Sequence, residues 1–215
     1  MCYNSEKLSV LLQLINLYNY LLTPPALAGG FQLITMKKML FLFLLLQATH
    51  LSAQFTGATL KASGLTCAMC SKAVFNALSA VPYVEKVQPD IQTSTYQISF
   101  KNAANIDPDL MARAVTDAGF SVAKLEMTGN FPETAIEKDG HVMWNNNVYH
   151  FVQSSMKTIK GKQTIRLVDK LFVSAKEHKN YGKQTTMACY TTGTRQSCCP
   201  SLGGSTTARI YHVIL

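Results

Sequence analysis

The sequence predicts an α+β chain in two parts: a βαββαβ unit over residues 54–127, then a small antiparallel β domain over 131–215. Two stretches carry apolar residues at helical spacing, and short alternating runs flank both of them. After Met127 the helical periodicity fades, and strand-and-turn patterning takes over.

The first strand is Thr56 to Ser63 (TGATLKAS), which alternates polar and small apolar residues as a half-buried strand does. Cys70 to Val81 then sets Val74, Leu78 and Val81 on one helical face, and Pro82 ends that helix. Tyr83 to Val87 and Thr95 to Phe100 are β-prone, with a polar turn containing Pro89, Asp90 and Ser94 between them. Asp107-Pro108 is a helix start, with Asp as cap and Pro at the first helical position. Leu110, Met111, Ala114, Val115 and Ala118 form its apolar face, and Gly119 is the expected stop. Ser121 to Met127 closes the unit as a strand. Both helices are expected on one face of the sheet, because their apolar stripes need a common partner.

Chemistry concentrates in Gly64-Leu65-Thr66-Cys67-Ala68-Met69-Cys70, between the first strand and the first helix. Two thiols three residues apart at a helix N-terminus meet unpaired N–H groups and the positive end of the dipole, which favour thiolate. Cys70, in the first turn, is the expected standing thiolate. A bare C-x-x-C is shared with redox motifs and zinc half-sites, so its meaning depends on the elements around it.

Those elements, with G-L-T-C-A-M-C at 64–70 and D-A-G-F at 117–120, resemble the heavy-metal-associated domain. That family includes copper chaperones, the N-terminal modules of copper-transporting P-type ATPases and a periplasmic mercury-binding protein. The resemblance spans about 56–127 and implies a ferredoxin-like fold in which Cys67 and Cys70 are metal ligands. Leu65 stands where the family usually has Met, one apolar packing residue for another. Phe120 falls at the loop position that would shield the ion, and Pro82-Tyr83 replaces a frequent Gly. Two thiolates suit a soft ion, Cu(I) or Hg(II), in linear geometry, whereas Zn(II) would want two further ligands. Cu(I) is the expected cargo, passed to or from a metal-donor or acceptor protein by ligand exchange. Met69 is expected to pack on Phe120 or lie at the surface. The alternatives are a thiol-disulfide protein using Cys67 and Cys70, or a surface interaction module.

Met36-Lys37-Lys38, the apolar run 39–46 and QATHLSA ending at Ala53 have the three parts of a secretory signal peptide. Residues 36–53 are therefore expected to be cleaved, residues 1–35 to be an upstream start-codon extension, and the product to be secreted to the periplasm. Membrane association is expected only through that segment. The net charge of +8 becomes +6 once Lys7, Lys37, Lys38 and Glu6 are removed. No Arg-rich stripe or aromatic-interleaved basic patch accompanies it, so nucleic acid is not implied. Lys61 and Lys72 flank the thiol loop and could steer an acidic partner, though isolated surface lysines also simply solubilise. No Ser-His-Asp, paired-carboxylate, P-loop or H-E-x-x-H pattern appears, so no enzymatic activity is expected.

Residues 128–130 read as a polar joint. Beyond it, 140–144 and 148–152 flank three asparagines as a hairpin would. Met156 to Ile159 and Gln163 to Phe172 flank Lys160-Gly161-Lys162, a second hairpin signal, and Ala208 to Ile214 alternates as a last strand. A five-stranded barrel of OB type is one architecture that suits this spacing. Cys189, Cys198 and Cys199 invite either a disulfide from Cys189 to one of the other two, or a second thiol site with Met187 or a His added. His150 and His212 lie on expected strands, where packing is their commoner role.

Overall fold

The computed structural model describes residues 54–101, 105–144, 147–153, 158–197, 199 and 208–215. The expected extension (1–35), the signal peptide (36–53) and Cys198 lie outside the described residues.

The first half follows the expected order: β1 (Gln54–Ser63), α1 (Ala68–Ser79), β2 (Val84–Asp90), β3 (Thr95–Phe100), α2 (Pro108–Asp117) and β4 (Ser121–Ala135). Its four strands lie in the order β2-β3-β1-β4, every neighbouring pair antiparallel. Helix α1 buries Val74 and Leu78 completely; each such side chain contributes about 1.5–3 kcal/mol over its exposed state. Helix α2 begins as its sequence requires, with the Asp107 carboxylate accepting from the Asp109 N–H at 2.9 Å and Pro108 in the first turn. The two helices pack on each other, α1 against β2 and α2 against β4.

The second half departs from the expected barrel. It adds β5 (His141–Trp144), β6 (Asn147–Gln153), β7 (Thr158–Leu167), α3 (Ala175–Gly182), α4 (Cys189–Thr192) and β8 (Ile210–Ile214). Its four strands extend the same sheet, giving eight in the order β2-β3-β1-β4-β7-β8-β6-β5. The residues read as a joint, 128–130, lie inside β4, which pairs with β1 through Asn130 and with β7 from Leu125 to Ala135. Continuous ladder pairing is the reason no separate barrel closes. Among the described residues only β6 and β8 pair in parallel.

The hairpin of β5 and β6 forms as expected, but the one about Lys160-Gly161-Lys162 does not. Gly161 has φ +69° and sits within β7 opposite Phe131, next to the register shift between Phe131 and Thr134. A positive-φ glycine that reads as a turn here serves an irregular ladder. Helix α3 was not expected. Ser174 accepts the Glu177 N–H while the Glu177 carboxylate accepts the Ser174 N–H, a reciprocal cap.

Strand β6 is buried on both faces. Tyr149 and Phe151 join the main core, with Trp144, Phe131 and Tyr211. Val148 and Val152 pack on the other face, with Cys189, Ile210, Val168 and Tyr190. Among the described residues no helix is long and apolar enough to cross a membrane.

Candidate metal centres

The loop from β1 to α1 is shaped by Gly64, whose φ of +87° lies where side chains are strained. A Cβ there would sit 3.8 Å from the Phe120 ring, so the loop passes close beside that side chain. Leu65 packs, partly buried, on the main core. Cys67 is the N-cap of α1: its backbone is extended, and its sulfur accepts the Cys70 N–H at 3.4 Å. Cys70 Sγ lies 3.0 Å from Cys67 Sγ and 3.9 Å from Thr66 Oγ1. The hydrogen bond from Cys67, then one from the Thr66 backbone, holds the Cys70 thiol below the usual thiol range, against a smaller opposing effect of desolvation.

Cys67 is exposed and Cys70 partly so. Met69 is 72% exposed and faces solvent. Lys61 and Lys72 are both exposed. Among the described residues, no His, Asp or Glu joins Cys67 and Cys70 in a group of three donors. The pair is a two-donor site, open to solvent at a helix start.

A second cluster lies across the sheet, and it differs from the expected second thiol site. Cys189 opens α4 and is fully buried. Its sulfur lies 3.7 Å from His141 Nε2 and 3.6 Å from His150 Nδ1. His141 and His150 are paired across β5 and β6, their rings stacked at 4.5 Å, and His212 is paired with His150 across β6 and β8. The His150 Nε2 faces the Asp139 carboxylate at 3.1 Å, and a backbone hydrogen bond at Asp139 also supports His141. Asp139 has φ +59°, a left-handed conformation that is strained for a residue other than glycine. Burial, then the neighbouring His212 and His141, pushes His150 down to about 4, against the pull of Asp139.

Cys199 is half-buried beside Cys189, Val148 and Ile210, as is Met187. Cys199 does not join the His141–His150–Cys189 donor group. His141 was missed in the sequence because nothing local distinguishes it. The hairpin register was the only signal, since it sets His141 opposite His150.

The solved structures similar to this chain each match about a third of it. The apo N-terminal domain of ZntA is 28% identical over 32% of this chain and 89% of its own, with a TM-score of 0.28. Oxidised MerP from Ralstonia metallidurans CH34 is 32% identical over 33% of this chain and 97% of its own, also at 0.28. The CopZ metallochaperone is 22% identical over 30% and 96%, again at 0.28. No curated protein matches the sequence. The family model described as the heavy-metal-associated domain matches residues 59–121, which contain both Cys67 and Cys70. This stretch of the chain is a heavy-metal-associated domain.

Proposed function

We propose that the protein binds a soft metal ion, Cu(I) foremost, between Cys67 and Cys70 and passes it to a partner's thiolates. One observation carries this reading: one exposed and one partly exposed sulfur at a helix start, with no third His, Cys, Asp or Glu donor among the described residues. Such a site leaves the ion two-coordinate, which suits Cu(I) or Hg(II) better than four-coordinate Zn(II). The sulfurs lie 3.0 Å apart, closer than an ion held in line between them would set them. Both side chains reach solvent, so they can swing apart without disturbing the core.

Transfer then proceeds by ligand exchange. An incoming thiolate adds to the two-coordinate ion, one of the two cysteines leaves and takes a proton, and the second follows. Exposure of Cys67 and Met69 leaves the approach open. The test is the rate of transfer from loaded protein to a dithiol acceptor. A rate that rises with acceptor concentration supports exchange, and a rate independent of it means release into water. Export to the periplasm belongs to the same proposal and rests on the pattern of residues 36–53. N-terminal sequencing of the exported protein, expected to begin at Gln54, checks it.

The 3.0 Å sulfur contact also favours a second reading, a dithiol that closes to a disulfide. Rapid reduction of a model disulfide by the metal-free protein would favour that reading over the carrier.

A further inference from the structure

We propose that His141, His150 and Cys189 form a second, buried metal site, for a borderline divalent ion of the Zn(II) class. The ligand atoms are His141 Nε2, His150 Nδ1 and Cys189 Sγ, all within 4.8 Å of one another. The observed S···N separations are 3.7 and 3.6 Å. Bonds of about 2.3 Å to sulfur and 2.05 Å to nitrogen place S and N about 3.6 Å apart at a tetrahedral angle, and about 3.8 Å at a trigonal one. Both S···N separations therefore match those a single ion would hold.

The surroundings are those of a ligand set. A coordinating imidazole usually donates its far N–H to a carboxylate or carbonyl, which fixes the tautomer and aims the other nitrogen. Asp139 supplies both kinds of support, its carboxylate to His150 and a backbone hydrogen bond to His141. It does so from a strained left-handed turn, with its own N–H donated to the Phe151 carbonyl at 2.8 Å. Alongside stands His212, edge-on to His150 at 5.0 Å, with Nδ1 against Asp169 at 2.7 Å. Its Nε2 is buried with no hydrogen-bond partner among the described residues. It is the neighbouring imidazole from which a fourth donor could come.

Donor softness separates the two sites. Two thiolates select a soft ion, whereas one thiolate with two imidazoles suits a borderline one. The exposed pair can exchange its cargo, while the buried set clamps α4 onto β5 and β6, as a structural site does. Cys189, His150 and Asp139 also have the order of a thiol nucleophile, base and orienting carboxylate. With Cys189 and His150 both at 0% exposure, no substrate reaches the sulfur. On binding, Cys189 gives up its proton to solvent and the imidazoles bind neutral. The two rings are within 5° of parallel, and imidazole lone pairs lie in the ring plane. Seating an ion therefore turns the His141 ring out of the stack, which its half-exposed place on β5 allows.

The test is a Co(II) titration of the reduced full chain carrying Cys67→Ser/Cys70→Ser, so that its outcome is independent of the carrier reading. A one-to-one complex with a thiolate-to-metal charge-transfer band, displaced by Zn(II), is expected. Cys189→Ala should abolish the band, and Cys198→Ser/Cys199→Ser should leave it. Asp139→Asn should weaken binding by about tenfold to a hundredfold. Should Cys189→Ala not fold, His141→Gln at the half-exposed position replaces it, and loss of Co(II) affinity is again expected. Absence of the band in the folded protein, or a band that survives Cys189→Ala, would overturn the site. The first outcome would leave a buried thiol hydrogen-bonded between two imidazoles, and the second would move the metal to Cys198 and Cys199.

Discussion

Cys67 caps the helix that carries Cys70, so one sulfur holds the backbone that orients the other. This separates two roles by substitution. Serine at position 67 keeps a cap oxygen and should leave α1 intact while soft-metal affinity falls by at least a hundredfold. Alanine at 67 should lose the same affinity and be about 1 kcal/mol less stable than the serine variant. Denaturant midpoints of the two variants, measured metal-free, check the difference. Because its partners hold the Cys70 thiol low, its thiolate persists to lower pH than that of an ordinary cysteine. Limited alkylation followed by peptide mapping should find Cys70 modified rapidly even below pH 8. Labelling there no faster than a model thiol would contradict the thiolate assignment.

Among the elements, most of the first half was legible, because each carries its own local signal. Val74 and Leu78 mark the buried face of α1, and Asp107-Pro108 marks the start of α2. What was misread involves signals that tertiary pairing overrides. Lys160-Gly161-Lys162 has turn composition, yet Gly161 sits in the middle of β7 against the irregular stretch of β4. Gly161→Val should therefore cost roughly 1–2 kcal/mol through its positive φ, measurable as a lowered urea midpoint. Helix α3 could have been found, since Ser174-Ala175-Lys176-Glu177 is a capping-box sequence. Ser174→Ala should cost about 1 kcal/mol, detected by faster amide exchange across 175–182. The cluster at Cys189 could not be read locally. Its sulfur meets partners 48 and 39 residues away, and the parallel pairing of β6 with β8 leaves no turn motif behind.

Across the whole molecule, one guanidinium joins the first half to the second. Arg209 Nε and Nη2 meet the Asp109 carboxylate at the start of α2, at 2.9 and 3.3 Å, and Nη1 meets Asp169 at 3.2 Å. The same group lies over the Tyr211 ring at 4.5 Å. Asp169 is nearly buried and also receives the His212 N–H at 2.9 Å. Arg209→Met should cost about 1–3 kcal/mol, because it removes one of the two partners of the buried Asp169 carboxylate. Burial opposes ionisation of Asp169, but His212 and then Arg209 outweigh it and hold the carboxyl below its usual value of 3.8. A depressed carboxyl stabilises the fold fully above its unfolded value, and that stability is lost as pH falls through the folded one. Acid unfolding of Asp169→Asn should accordingly be shallower below about pH 4, from a lower plateau at neutral pH.

The heavy-metal-associated match ends at residue 121, and the strand that begins there, β4, carries a second set of strands on the same sheet. The central claim is that Cys67 and Cys70 alone hold the soft ion. An anaerobic Cu(I) titration of the reduced protein against a competing chelator, with Cys67→Ser/Cys70→Ser alongside, tests it most directly. The account predicts one tightly bound Cu(I) in the parent chain and none of that affinity in the double variant. Equal affinity in both proteins, or no tight binding in either, would contradict it.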